Sequence, residues 1–157
     1  MTPTLYTLGY QQRDLDEYIE LLVAAKIGVV VDVRETPWSH KPGFSKTAFA
    51  RALARHGIEY FHAQFAGNPK HLRAKAPSHA VCLQWYAEHL ADQCEIVESF
   101  DQIVTELGRS GRRVCITCFE RHADDCHRGV LAHRWQQLGR RRVEHLAVDG
   151  CERLVSA

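Results

Sequence analysis

Short runs that are apolar at nearly every position alternate along this chain with longer stretches in which apolar residues recur every three or four positions. Ile27 to Val33 (IGVVVDV) and Val114 to Phe119 (VCITCF) are the two strongest runs. A strand covered on both faces, as in a parallel sheet, reads this way. Leu5 to Leu8 is a shorter strand ending at Gly9, Ile58 to His62 alternates like a strand, and Val143 to Val148 is a last one. Between them the helical period predicts a helix after Asp14, with Leu15, Tyr18, Ile19, Leu22 and Val23 on one face and Lys26 and Gly28 closing it. Ser45 reads as the cap of a helix that carries Phe49, Ala52 and Leu53 inward and stops at His56-Gly57. Helices follow over residues 80–94 and 95–107, and a final one runs from a cap at Asp124 or Asp125 to about Leu138. Residues 66–78 read as a polar loop long enough to suspect function.

The predicted order is β-α-β-α-β-α-α-β-α-β. It implies a single α/β domain over 1–157: a mostly parallel five-stranded sheet with helices on both faces, a three-layer α/β/α sandwich. The length of 157 residues suits one domain. A composition of 45% hydrophobic and 25% charged residues is that of an ordinary water-exposed fold. The net charge of +1 excludes a strong overall pull toward nucleic acid or membrane. Nothing at the N-terminus has the basic-then-apolar form of an export signal, and the apolar runs are too short to span a bilayer. Six cysteines in that setting are expected to be thiols in a reducing cytoplasm.

The chemistry concentrates at the ends of the two strong strands, where an open α/β sheet places its ligands. Asp32 and Arg34 end the first run. They are candidates for ligand binding, the Arg by its planar fork, or for a purely structural ion pair. Ser39, His40 and Lys41 follow in the same loop, and Ser39 is a candidate donor. Cys118 and Glu120 end the other run, and Cys126, His127 and Arg128 open the next helix. A helix amino end favours anions and lowers a thiol's pKa. Cys126 or Cys118 is thus a candidate nucleophile, His127 or His122 a base, Glu120 a proton carrier and Arg128 an anion clamp. Cysteines 82, 94, 115 and 151 read as packing residues. Cys115-x-x-Cys118 lies within a strand, so its sulfurs should face opposite ways. The Cys118, His122, Cys126 and His127 spacing is not the usual zinc pattern. No metal and no cofactor are therefore expected. The Cys115-x5-Arg121 spacing of thiol phosphatases is treated as accidental, and Arg140 to Arg142 as a solvated turn.

These pieces together resemble the family called domain of unknown function 488. The resemblance rests on TLGY at residues 7–10, VVVDVRETPWS, the helix leading into GIEYFHA, and CFE followed by CHRGVLAH. It implies an α/β fold and a shared pocket built from Asp32, Arg34, Cys118, Glu120, Cys126, His127 and Arg128, without an established reaction. The chain departs from the family at Phe65 to Pro69, where a Leu-Gly-Gly-type turn is common. A weaker resemblance, through VVVDVRE and RVCITCFER, is to rhodanese-like sulfurtransferases. It would make Cys118 a persulfide carrier, although the short Gly-containing loop of those domains is missing. The expectation is a domain that binds, and processes, a small anionic ligand, a nucleotide or a nucleic-acid end. The alternatives are a sulfurtransferase and a noncatalytic binding module.

Overall fold

The structure, a computed structural model, describes residues 3–146. Its five strands are β1 (Thr4–Gly9), β2 (Ile27–Asp32), β3 (Glu59–His62), β4 (Arg113–Cys118) and β5 (Arg142–His145). They form one sheet in the order β3-β2-β4-β1-β5, and every pairing is parallel. Six helices cover it: α1 (Leu15–Ala24), α2 (Lys46–Ala54), α3 (Lys70–Lys75), α4 (His79–Asp92), α5 (Cys94–Gly108) and α6 (His127–Gln136).

Alternation along the strands sorts side chains into two cores. Val29, Val31, Val114, Ile116 and Cys118 face a cluster with Tyr86, Leu90, Phe100, Leu131 and Trp135 of α4, α5 and α6. Val30, Cys115, Tyr6 and Leu8 face another with Tyr18, Leu22, Phe49 and Leu53 of α1 and α2. The result is the expected three-layer sandwich. Cys115 and Cys118 do lie in different cores, on opposite faces of β4. Because α2 and α6 occupy opposite faces, the loops after β2 and β4 diverge and leave a crevice between neighbouring strand ends.

Local signals set most boundaries. Asp14 accepts from the Glu17 amide at 2.8 Å and Glu17 returns the bond, forming a capping box on α1. Lys26 turns the chain out of α1 with φ 57°, while Gly28 belongs to β2 rather than to the helix end. Ser45 occupies the cap position of α2, but its hydroxyl serves Ser39 instead. Residues 66–78 are not wholly loop, since they include α3, a six-residue helix with no buried side chain. Asp124 and Asp125 do not cap α6. They lie in a 3-10 turn, Ala123–Asp125, and Cys126 takes the cap position in an extended conformation. The last strand is found as β5 and ends at His145, and residues 147 and 148 of the expected strand lie outside the described residues, as does Cys151. Among the described residues no helix is long and apolar enough to cross a membrane.

Candidate active site

The tips of β1, β2 and β4 open into a cleft of about 890 Å³. Tyr10, Arg34, Cys118, Glu120 and His127 form its floor. One wall is the loop after β2, with Glu35, Trp38, Ser39, His40 and Lys41. The other comes from residues 68–83, including Asn68, Arg73, Ser78, His79 and Cys82.

At the floor, His127 begins α6 and is buried. Its Nε2 lies 2.8 Å from the carbonyl oxygen of Val33. A carbonyl only accepts, so Nε2 carries a proton, and Nδ1 has a lone pair when the ring is neutral and an N–H when it is charged. Both thiols lie close to the ring: Cys118 Sγ is 3.2 Å from Nδ1 and 3.7 Å from Nε2, and Cys126 Sγ is 3.9 Å from Nδ1. Tyr86 holds the other side of the ring edge-on. Glu120 Oε2 stands 3.8 Å from Cys118 Sγ, on the cleft side. The donor atoms of Cys118, Glu120, Cys126 and His127 all lie within 4.8 Å of one another.

These groups share their charge unevenly. Burial pushes the Cys118 thiol well up, and its hydrogen bond and repulsion with Cys126 push it further. Burial also works against a charge on Cys126, but hydrogen bonds from Cys118 and His127 and the charge of Arg128 outweigh it and hold that thiol well below its usual value. His127 Nδ1 is nearer Cys118, yet the negative charge settles on Cys126, at the amino end of α6. Burial disfavours the imidazolium of His127, and the Cys126 thiolate overcomes that, so His127 sits above its usual value. Glu120 is pushed up to about 7 by burial first and by Cys126 second.

Two glycines make the arrangement possible. A Cβ on Gly9 would stand 1.8 Å from the Glu120 carbonyl oxygen, and one on Gly129 would stand 2.2 Å from that of Ala123. The loop after β4 therefore lies against β1 and the first turn of α6 without side chains between them.

Asp32, Arg34 and Arg128 are brought to the same end of the sheet but are occupied by the protein itself. The Asp32 carboxylate is fully buried and accepts from the Arg34 amide, Nε and NH2, and from the Tyr60 hydroxyl. Arg34 donates in addition to the Tyr10 hydroxyl. Burial opposes its charge, and Asp32 more than offsets that. Arg34 lines the cleft, whereas Asp32 stands behind it and orients it. Arg128, 1% exposed, donates to the carbonyls of Glu120 and Arg121 and to Thr7 Oγ1. It braces the loop after β4 and does not reach the cleft surface. Ser39 does line the cleft, with its hydroxyl accepting from the Lys41 amide. His122 is exposed on the loop and is not among the clustered groups. Arg141 pairs with Asp101 and stacks over Trp135, so Arg140 and Arg141 form a bend tied to the core side, while Arg142 begins β5.

Sequence reasoning missed Tyr10 as a site residue, although it quoted TLGY. It named the 66–78 region without the side chains that line the wall. Tyr10 stacks on Phe44 at 4.5 Å between centroids and meets Phe119 edge-on. A tyrosine directly after a strand-ending Gly was the available signal.

The sandwich with thiol, imidazole and carboxyl groups at its strand ends defines an α/β domain with one polar cleft floor. Residues 14–135 match the family described as Domain of unknown function DUF488, and the chain belongs to that family. The TLGY segment precedes the matched span, while both site strands and the start of α6 fall within it. No curated protein and no solved structure matches the chain.

Proposed function

We propose that this chain binds a small anionic ligand in the cleft at the strand ends and processes it at the cluster of Cys118, Glu120, Cys126 and His127. One observation carries the reading. A cleft of ligand size ends on four convergent reactive groups, while cationic and imidazole side chains, Lys41, Arg73, His40 and His79, line its walls. Small-molecule sites combine a concave, partly apolar wall with a few convergent polar groups in this way. Arg34 supports it further: Asp32 and Tyr10 take three of its five N–H groups, which leaves two for a ligand and fixes the plane of the fork. Such pre-ordering lowers the entropy lost on binding.

The ligand class is one bearing phosphate or carboxylate and small enough for about 890 Å³, which admits a mononucleotide. The test is a thermal-shift panel of nucleotides, sugar phosphates and carboxylates. A true ligand at about 100 times its Kd adds roughly 2.7 kcal/mol, or about 5 to 10 °C in Tm. The shift is expected to shrink in Lys41→Ala and Arg73→Ala. A panel without any shift, or a shift equal in both variants and the wild type, sinks the reading. A ligand shift that persists unchanged in Cys126→Ala and His127→Ala, with no turnover by the wild type, would leave a binding module instead of an enzyme.

A further inference from the structure

We propose that Cys118, Cys126 and His127 are the ligands of a thiophilic divalent metal ion, of which zinc is the type, with Glu120 at the corner that opens to the cleft. This goes beyond the ligand reading above and stands without it.

Zinc–sulfur bonds of about 2.3 Å and zinc–nitrogen or zinc–oxygen bonds of about 2.0 to 2.2 Å, set tetrahedrally, give edges of roughly 3.3 to 3.8 Å between donor atoms. The cluster offers edges of 3.2 Å (Cys118 Sγ to His127 Nδ1), 3.9 Å (Cys126 Sγ to His127 Nδ1) and 3.8 Å (Cys118 Sγ to Glu120 Oε2). These values bracket the tetrahedral ones, and all four donor atoms lie within 4.8 Å of one another.

The histidine tautomer fits the same site. A metal-bound histidine usually donates its other ring N–H to a carbonyl or carboxylate, which fixes the ring and its lone pair. His127 Nε2 does this to the Val33 carbonyl, which leaves Nδ1, within 3.9 Å of both sulfurs, as the ring nitrogen available to a metal. The donors come from separate parts of the fold: the end of β4, the cap of α6 and its first residue. Gly9 and Gly129 let those parts approach. Two thiolates, one carboxylate and a neutral imidazole around a divalent ion carry one net negative charge. Arg128, bonded to the Glu120 carbonyl, supplies the balancing positive one. Thiolate and imidazole donors select zinc and similar borderline ions over magnesium or calcium. Three buried ligands and a partly buried fourth corner on the cleft are the form of a catalytic rather than a closed structural site.

Cobalt(II) is the probe, because thiolate ligation to it is visible. The full chain, reduced and stripped by a chelator, is expected to take up one Co²⁺. It should then show a sulfur-to-cobalt charge-transfer band and tetrahedral visible bands, which one equivalent of Zn²⁺ abolishes. Cys118→Ser and Cys126→Ser should each diminish the charge-transfer band. His127→Gln should weaken Zn²⁺ binding by at least about tenfold. Cys94→Ser, on an exposed helix end, should change nothing. As a check free of folding defects, the unaltered chain loaded with Zn²⁺ should protect Cys118 and Cys126 from alkylation while Cys94 reacts. A folded, reduced chain that binds no Co²⁺, binds it without the charge-transfer band, or gains no protection from Zn²⁺ overturns the proposal. Isolation of a Cys118–Cys126 disulfide that Zn²⁺ cannot prevent overturns it too. Loss of every anion-induced thermal shift with the cobalt spectrum intact would instead refute only the ligand reading.

Discussion

Two strand tips, β2 and β4, stand side by side in the sheet and solve the same problem in opposite ways. Each presents an acidic group at the end of a buried strand, where an uncompensated charge is costly. At β2 the problem is closed internally. Asp32 accepts four hydrogen bonds, three of them from the neighbouring Arg34 residue and one from Tyr60. The tip is neutral, and its outward product is an oriented guanidinium. At β4 three acids, Cys118, Glu120 and Cys126, crowd around one imidazole. Their protons are shared instead of being matched by a full set of cations, and Arg128 behind them contributes a single positive charge. The difference teaches where structure ends and chemistry begins. A self-satisfied tip is scaffold, and a tip whose groups depend on one another is built to meet something from outside.

The largest expected effect breaks the β2 tip. Asp32→Ala leaves the buried Arg34 charge unpaired and should cost about 3 to 5 kcal/mol, measured from urea unfolding midpoints at unchanged slope. Replacing both members with apolar residues, Asp32→Leu with Arg34→Met, should recover most of that loss. If the double variant is no better than the single, the tip is not a closed pair. By contrast Cys118→Ser should cost below about 1.5 kcal/mol, because it removes a weak sulfur contact and not a charge's only partner.

A middle-sized effect tests how the two tips are held in register. Gly9→Ala places a methyl group against the Glu120 carbonyl. The loop after β4 must move, at about 1 to 3 kcal/mol. The same variant should lose Co²⁺ uptake, since the loop carries Glu120 and leads to Cys126. A variant destabilised as expected but binding Co²⁺ like the wild type would show that the cluster does not depend on this contact.

The smallest effect lies on the far side of β1. Thr7 Oγ1 accepts from Arg128 Nε and shares a second hydrogen bond with His145 Nδ1 at 2.7 Å. Burial first, and the charge of Arg128 second, hold His145 below its ordinary 6.5. The unfolded chain then binds this proton more readily than the folded one. Stability from His145 is therefore complete above pH 6.5 and declines as pH falls from there through the lower folded value. Unfolding free energies of wild type and His145→Gln should diverge by less at pH 5 than at pH 7.5. A constant difference across that range would mean that His145 titrates alike in both states.

The sequence was most legible where its signals are local. The two apolar runs, the period of α1, α4 and α5, and the order of elements follow from hydrophobic spacing within a dozen residues. The parallel sheet follows from their alternation. The capping box at Asp14 and Glu17 is equally local. The α6 cap was misread because Asp124 and Asp125 are good caps in isolation, whereas contact of Gly129 with Ala123 lets a 3-10 turn absorb them. The short α3 buries nothing, so no hydrophobic period announces it.

What the chain determined by itself, then, was the class of fold and the end of the sheet where chemistry gathers, because periodicity and strand-end composition are properties of consecutive residues. The division of labour there was decided only in three dimensions. Strand order sets β2 beside β4, and with it the Val33 carbonyl against a histidine ninety-four positions away. That one contact puts a proton on His127 Nε2 and leaves Nδ1 beside two sulfurs. Packing likewise turned Arg128 from a clamp into a brace and Asp32 into the holder of Arg34. No spacing along the chain encodes such facts, since they depend on which distant backbone supplies the acceptor.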